Sequence, residues 1–577
     1  MAEQPRAHRL LLAVCGAFAL LSLVLVPLTL PLGWDEIVYA SRYSPYAPAT
    51  PFSAPRTRGV PFLIAPVASW SDSVVLLRVW LTLLATVALY LGFRPWLRVL
   101  HRPSAAAVAA ALYGGLWFAL FYASAAMPNH YTAMGAVGAV GLFLWPRQSA
   151  ATCAGIAGGL ALATLMRPND GAALGAPLLV AALVVPRRRG RGRLLAVLGG
   201  VAAGALPWIV EAYVRFGGVR ERLTEASEVQ GDLRPLLSLV HHLTVMDGPL
   251  LCRPCDGDGI RLLTVEWWLL LPVLVGVGLW SVGGGRGVGG GRDVWGPGSG
   301  RGAGAGSGAG AGSGAGSGRG AGSGRGAESG RGAGRGQGPG SGRGAGRGQG
   351  PGSGRGAGRG QGPGSGRGAE SGHGAESGHD AESGQGPGSV RGAGATDSGG
   401  VLLAVVAALA VALPYLLLVP YAAPRFLLPT HALLAPAAAL GVLALAGAVR
   451  ASRRPRAGVA VLGLVLVAHL AVQLPLVHGN ARIQAGARGD WARIAEVLHE
   501  HGVGGEGGGA PCVLRGNASV IPIAYVSGCA PGGPDDPDRR LDALVLREAD
   551  PPHWARSWSR HPVPGTYAPG WVVHVRP

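Results

Sequence analysis

The stretch GWDEIVYASRYSP, residues 33–45, places two adjacent carboxylates, Asp35 and Glu36, directly after an apolar run long enough to cross a bilayer. Neighbouring residues on a helix lie about 100° apart, so the pair cannot share one face. One carboxylate could take a proton while the other orients it or binds a cation. The opposing reading is a helix N-terminus, where the dipole favours acids, beside an interfacial aromatic belt. On spacing alone the two stand level. The segment that follows, YSPYAPATPFSAPRTRGVPFLIAPV (43–67), is rich in proline, carries Arg56 and Arg58, and re-enters an apolar stretch.

What holds these residues is a membrane bundle. The 577 residues are 48% hydrophobic and only 14% charged, and mean hydropathy is positive, the balance of a polytopic membrane protein. Runs near the roughly 20 apolar residues a spanning helix needs occur at 10–32, 73–93, 104–123, 130–146, 150–166, 171–186, 193–210, 263–282, 401–420, 427–449 and 457–477, eleven in all. The net charge of +19 comes from arginine alone, since the chain has no lysine, a usage that with 99 glycines fits a GC-rich bacterial genome. These arginines gather in short connections, FRPWLRVLHRP (93–103), PRQ (146–148), PRRRGRGR (186–193) and RASRRPR (450–456). That pattern obeys the positive-inside rule and argues against a nucleic-acid-binding face. With the N-terminus cytoplasmic in the plasma membrane, all four connections fall inside. The loop 33–72, SAAMPNHY (124–131), RPNDG (167–171), 211–262, YAAPR (421–425) and the tail from about 478 then face outward. Basic residues such as Arg56 and Arg58 run against the rule on that side; a bound phosphate would explain them, and so would lipid headgroups.

The expected domains are a transmembrane module at 1–282, a cytoplasmic linker at 283–400, further transmembrane helices at 401–478 and an extracytoplasmic α/β domain at 479–577. In the linker GRGAGRGQGPGS recurs with a period of twelve from Gly330, and nothing there can form a core. In the tail, 490–502 has helical periodicity, while 510–516, 541–548 and 570–577 read as buried strands. No phosphate loop or triad is visible there, which makes a support or binding module the expectation. Cys15 and Cys153 lie within apolar segments and read as packing residues. Cys252 and Cys255 form a lone C-x-x-C, weak evidence for zinc; like Cys512 and Cys529 they read more simply as a disulfide pair facing an oxidising compartment. His241, His242 and Asp247 lack metal-ligand spacing, and Asp170 reads as a helix cap.

An apolar first helix, an outward acid pair, a short amphipathic stretch and the RGVPFLIAPV segment together resemble the C-type membrane glycosyltransferases (GT-C), with protein O-mannosyltransferases and lipid A aminoarabinose transferases as the nearer kin. LMRPNDG (165–171) resembles their basic motif at the outer end of a middle helix, and APRFLLPTHALLAP (423–436) their RYLLP-type late helix. The resemblance implies an all-α polytopic fold of about eleven spans with a small extracytoplasmic α/β domain. It also implies sugar transfer on the outer face from a polyprenyl-phosphate donor, mannose-like or a pentose, to a hydroxyl of a protein, glycan or lipid. Carried over, Asp35 is the base, and Glu36 positions substrate or a divalent cation, Mg or Mn. Arg167, with Arg56, Arg58 and Arg425, holds the lipid-linked phosphate, a role suited to bidentate guanidinium contact. Where relatives carry a further acid in the second outer loop, this chain has Asn129 and His130, candidate substrate contacts, a departure that leaves metal use and catalytic competence open.

Two other classes bear weighing. A transporter or lipid flippase needs ionisable or broken-helix features near mid-membrane, whereas here polar residues collect at the outer ends of helices. A non-catalytic anchor presenting the tail domain is favoured by the missing loop-two acid and opposed by the preserved pair.

Overall fold

The computed structural model describes residues 3–45, 47–253, 255, 259–261, 265–283, 398–452, 455–504, 512–533 and 541–577. The expected linker therefore lies almost wholly outside the described residues. The described chain is a helical bundle, consistent with its apolar runs. It opens with α1 (Glu3–Leu25), the short α2 (Trp34–Ala40), α3 (Gly59–Ala68), α4 (Val74–Phe93), α5 (Trp96–Val99), α6 (Ser104–Gly114), α7 (Trp117–Ala123) and α8 (Pro128–Phe143). It continues with α9 (Ala150–Met166), α10 (Pro168–Val184), α11 (Arg191–Arg215), α12 (Val219–Val229), α13 (Leu239–Thr244) and α14 (Glu266–Gly283). After the linker come α15 (Ser398–Leu417), α16 (Leu428–Ala451), α17 (Pro455–Glu500) and, in the tail, α18 (Val520–Ser527).

Among the described residues, seven helices are long and apolar enough to cross a membrane, or eight if α6 and α7, bent by 82°, count as one broken span. The other three expected spans are α8, α9 and α10, of 16, 17 and 17 residues; at 1.5 Å per residue they reach about 25 Å, short of a full hydrocarbon core. Large apolar side chains such as Leu20, Val214, Leu206, Trp280 and Leu464 point outward, which suits a multi-pass membrane protein whose helices face lipid. Close crossings rely on glycine. A Cβ on Gly159 of α9 would meet the Gly135 carbonyl of α8 at 2.8 Å, and Gly278 of α14 and Gly441 of α16 are as tightly apposed, the small-residue packing of membrane helices.

Basic connections collect at one end of the bundle. Arg188 and Arg193 donate to the Leu144 and Trp145 carbonyls (2.7 and 2.8 Å), where they cap the C-terminus of α8. Arg98 lies over the Trp145 ring, and Arg102 donates to the Leu443 carbonyl in the second half of α16 (3.2 Å).

The tail holds a five-stranded sheet in the order β2-β1-β3-β5-β4, formed by β1 (Val513–Gly516), β2 (Ala530–Pro531), β3 (Ala543–Arg547), β4 (Ser559–Pro562) and β5 (Trp571–Val575). β1 runs parallel to β2 and β3, with Leu514 opposite Pro531 and Ala543, and β5 is antiparallel to β3 and β4. α18 links β1 to β2, and Cys512–Cys529 closes that unit with a disulfide. The helix expected at 490–502 is the end of α17, which runs unbroken for 46 residues from the bundle into the sheet domain. Asp490 of α17 accepts from the amides of Tyr567 and Ala568 (2.6 and 2.9 Å) and ties the sheet's last loop to the helix.

Candidate active site

The site forms at the bundle end opposite the basic connections. α2 starts where the Pro31 to Gly33 turn leaves α1's run. The Gly33 amide donates to Glu36 Oε2 (2.7 Å), half of a capping box. From that short helix the two acids point apart, as the 100° step demands. Glu36 faces inward and is 3% exposed; Asp35 is a third exposed.

Glu36 is saturated. Its carboxylate accepts from the Gly33 and Ala126 amides (2.7 and 2.8 Å), from Arg78 Nη1 and Nη2 (the latter at 3.0 Å) and from Arg488 Nη1 (3.1 Å). Burial raises its carboxyl, but the Arg78 charge, its hydrogen bonds and Arg488 outweigh that and hold it at about 2. Arg78, fully buried on α4, also donates to the Leu30, Pro31 and Ser124 carbonyls (3.1, 3.2 and 2.8 Å). It therefore gathers the start of α2, the first span and the turn after α7. Arg488 reaches in from α17 and bonds the Pro31 carbonyl (2.7 Å). Its guanidinium passes so close to Gly33 that a Cβ there would stand 2.8 Å from it. No lone pair of Glu36 is left for a substrate or cation. Among the described residues no group of three His, Cys, Asp or Glu side chains could hold a metal, so the residues present do not fit the expected divalent ion.

Asp35 is held differently. Arg56 Nη2 lies 2.7 Å from Oδ1 and Arg425 Nη2 3.4 Å from Oδ2. Burial pushes this carboxyl up, and the charges of Arg56 and Arg425 outweigh it and keep it below the usual carboxylate range. Arg56 belongs to a loop pinned from behind, where the buried Arg222 donates to the Ala54 and Arg56 carbonyls (3.0 and 2.8 Å). Arg425 stands in the 3₁₀ turn Pro424–Leu427 that leads into α16 and donates to the Tyr122 hydroxyl and the Leu250 carbonyl (3.1 and 3.0 Å). The Leu250 strap is closed by the Cys252–Cys255 disulfide. Tyr39, one turn beyond Asp35, has its phenol pushed to about 12, by burial first and by the Asp35 charge next, and stays a donor.

Arg167, at the junction of α9 and α10, pairs through Nε with Asp170 (3.5 Å), which in turn accepts from the Tyr415 hydroxyl. Its guanidinium lies over the Tyr415 and Phe426 rings at 5.0 and 5.1 Å. Its two terminal nitrogens carry no hydrogen bond among the described residues. Asp170, expected as a helix cap, thus spends its carboxylate on Arg167 and Tyr415.

The structure brings Asp35, Arg56 and Arg425 together, with Arg167 sharing the Phe426 ring with Arg425. Arg58 turns away and bonds Glu211 on α11, which also pairs with Arg215 and Arg222; it braces the Arg56 loop. His130 is set into the core. Its Nδ1 meets the Tyr113 hydroxyl and its Nε2 the Ala85 carbonyl, both at 3.0 Å, and its ring stacks on Phe18, so neither nitrogen is left for a substrate. Asn129, fully buried, has no partner for its amide among the described residues and makes no bond to the acid pair. Sequence reasoning missed Arg78, Arg488 and Tyr122. Arg78 did leave a signal, a lone arginine inside an apolar span; Arg488, in a polar helix, left none.

No protein-family model matches the sequence, and no curated protein matches it. Solved structures do. The fold is similar to that of ArnT from Cupriavidus metallidurans bound to undecaprenyl phosphate, with a TM-score of 0.50 at 12% identity over 97% of both chains. Archaeoglobus fulgidus oligosaccharyltransferase, in complex with zinc and sulfate, matches at a TM-score of 0.43 and 11% identity over 92% of this chain and 68% of that one. At such identity the likeness is one of fold alone, here a polytopic helical bundle with a small sheet domain at its C-terminus.

Proposed function

We propose that the protein transfers a sugar from a polyprenyl-phosphate donor to an acceptor hydroxyl on the outer face of the plasma membrane. The observation that carries this reading is the grip of two arginines on Asp35 beside Arg167, whose terminal nitrogens carry no hydrogen bond among the described residues. Arg56, Arg167 and Arg425 outnumber Asp35 and Asp170, so the site attracts an anion. A phosphate diester linked to a sugar supplies one, and the ArnT of similar fold is a structure with undecaprenyl phosphate bound.

The chemistry follows from the positions. The acceptor oxygen attacks the anomeric carbon and loses its proton to the Asp35 carboxylate. The bond from that carbon to the phosphate oxygen breaks, and polyprenyl phosphate leaves with the extra negative charge on its oxygens. Arg167, Arg56 and Arg425 stabilise that charge bidentately. Glu36 takes no part; with Arg78 and Arg488 it fixes the pitch of α2 and so the position of Asp35.

The test is release of radiolabelled sugar from polyprenyl-phosphate hexose and pentose donors by purified protein in lipid. Transfer or slow hydrolysis is expected with one of them, and silence with both sinks the reading. The pH profile adds a sharper check. A carboxyl held below its ordinary value stays ionised as pH falls and loses its base form only on passing that depressed value. The profile of kcat/KM should thus stay flat from neutrality down to about 4, the usual region for aspartate. An acid limb centred near pH 6 would assign the base to another group.

A further inference from the structure

A cleft of 1090 Å³ opens on the flank of the bundle between α1, α4, α8 and α9, built from residues other than those of the acid site. Its walls are apolar, with Leu84, Leu91, Met134 and Leu162 among them. Gly158 of α9 lines it, and a Cβ added there would meet nothing within 4 Å. The volume exceeds the roughly 1,000 Å³ upper range of drug-sized pockets. Because its walls are membrane helices, the bilayer itself supplies what fills it.

One end of the cleft has a different chemistry. Arg94 and Arg98, both exposed, stand at its mouth with His8 and Trp145. Arg98 lies 4.9 Å over the Trp145 ring, and His8 is bonded to the Tyr90 hydroxyl at 2.7 Å. The Arg94 guanidinium has no side-chain partner among the described residues. This is the bundle end where the basic connections gather. An apolar slot that ends in two arginines and an indole is complementary to an anionic lipid, with hydrocarbon along the slot, phosphate at the guanidiniums and the indole at headgroup depth. A zwitterionic lipid would offset its own phosphate with a cation and lose that complementarity.

We propose that the cleft binds an anionic diacyl phospholipid, its phosphate at Arg94 and Arg98 and one acyl chain running past Gly158. The proposal is independent of the transfer reaction, since it shares no residue with the acid site.

The full-length protein, delipidated in detergent, would be offered dioleoyl phosphatidylglycerol or dioleoyl phosphatidylcholine. Retention would be read by native mass spectrometry, and stabilisation by the thermal unfolding midpoint. Phosphatidylglycerol is expected to be retained and to raise the midpoint, and phosphatidylcholine to do neither. Arg94→Gln with Arg98→Gln should weaken phosphatidylglycerol about thirtyfold, the effect of removing two interfacial arginines. Gly158→Leu puts a side chain into the slot while improving helix propensity; it should abolish retention yet leave the lipid-free midpoint unchanged or higher. Equal retention of the two lipids overturns the proposal, as does undiminished retention in Gly158→Leu. Displacement of phosphatidylglycerol by equimolar undecaprenyl phosphate would assign the cleft to a carrier lipid and overturn it too.

Discussion

Replacing Asp35 with asparagine is expected to lower the transfer rate by about 10²–10⁴-fold, the usual contribution of a positioned general base, while leaving the protein folded. Asparagine keeps the shape and can still accept from Arg56, and the side chain is a third exposed, so its neighbours lose little. The measurement is single-turnover sugar transfer by wild type and Asp35→Asn in the same vesicles, beside a melting curve for each. The pattern matters as much as the size. If the three arginines hold the phosphate, donor affinity in Asp35→Asn should be kept or improved, because Arg56 and Arg425 no longer share their charge with a carboxylate. A variant as active as wild type would remove Asp35 from the chemistry.

Glu36→Ala should instead act on the fold. It strips Arg78, 1% exposed, of its only side-chain counterion among the described residues and leaves a buried guanidinium facing carbonyls. Breaking a buried pair in this way costs about 3–5 kcal/mol, enough to lower the melting midpoint by many degrees. Adding Arg78→Met to Glu36→Ala should recover part of the loss, since the fully buried Arg78 charge no longer stays behind uncompensated and only the Arg488 charge does. Arg488→Gln should cost less than Glu36→Ala, about 1.5–3 kcal/mol for its lost charged hydrogen bonds, because Glu36 would keep Arg78 and two amides. Melting curves of the three variants beside wild type in one detergent give the order directly; a silent Glu36→Ala would show that the network carries no stability.

Much of the fold was legible in the sequence because apolar length and arginine bias are written locally. All eleven expected spans have helices, including α8, α9 and α10, although these are short. The three hydrophobic strands of the tail appear as β1, β3 and β5. β4 did not show itself because Ser559–Pro562, SRHP, is an exposed edge with no alternating apolar face. β2 is two residues long. α18 was passed over because eight residues between two strands carry too little periodicity to tell from a buried turn. In the site, the sequence named Asp35 and Glu36 with Arg56, Arg58, Arg167 and Arg425, but only the resemblance, and not the spacing, divided the labour between Asp35 and Glu36. That division is tertiary. It depends on Arg78, 42 residues on, and Arg488, 452 residues on. For the same reason Arg58 and His130 looked like ligands and are braces, their partners Glu211 and Tyr113 being set by helix packing.

If Asp35 is the base, its two ion pairs also restrain the resting protein. While Arg56 and Arg425 hold the carboxylate, it would be a weak base toward water or a wandering acceptor. A lipid phosphate bound at the site would compete for those same cations, and as it drew them off the carboxylate would regain its strength. Turnover would then acquire a compulsory sequence, donor before acceptor, without any moving lid. Initial-rate patterns with both substrates varied would read this as ordered addition, with acceptor analogues uncompetitive against donor; random addition would mean that the arginines serve both states alike.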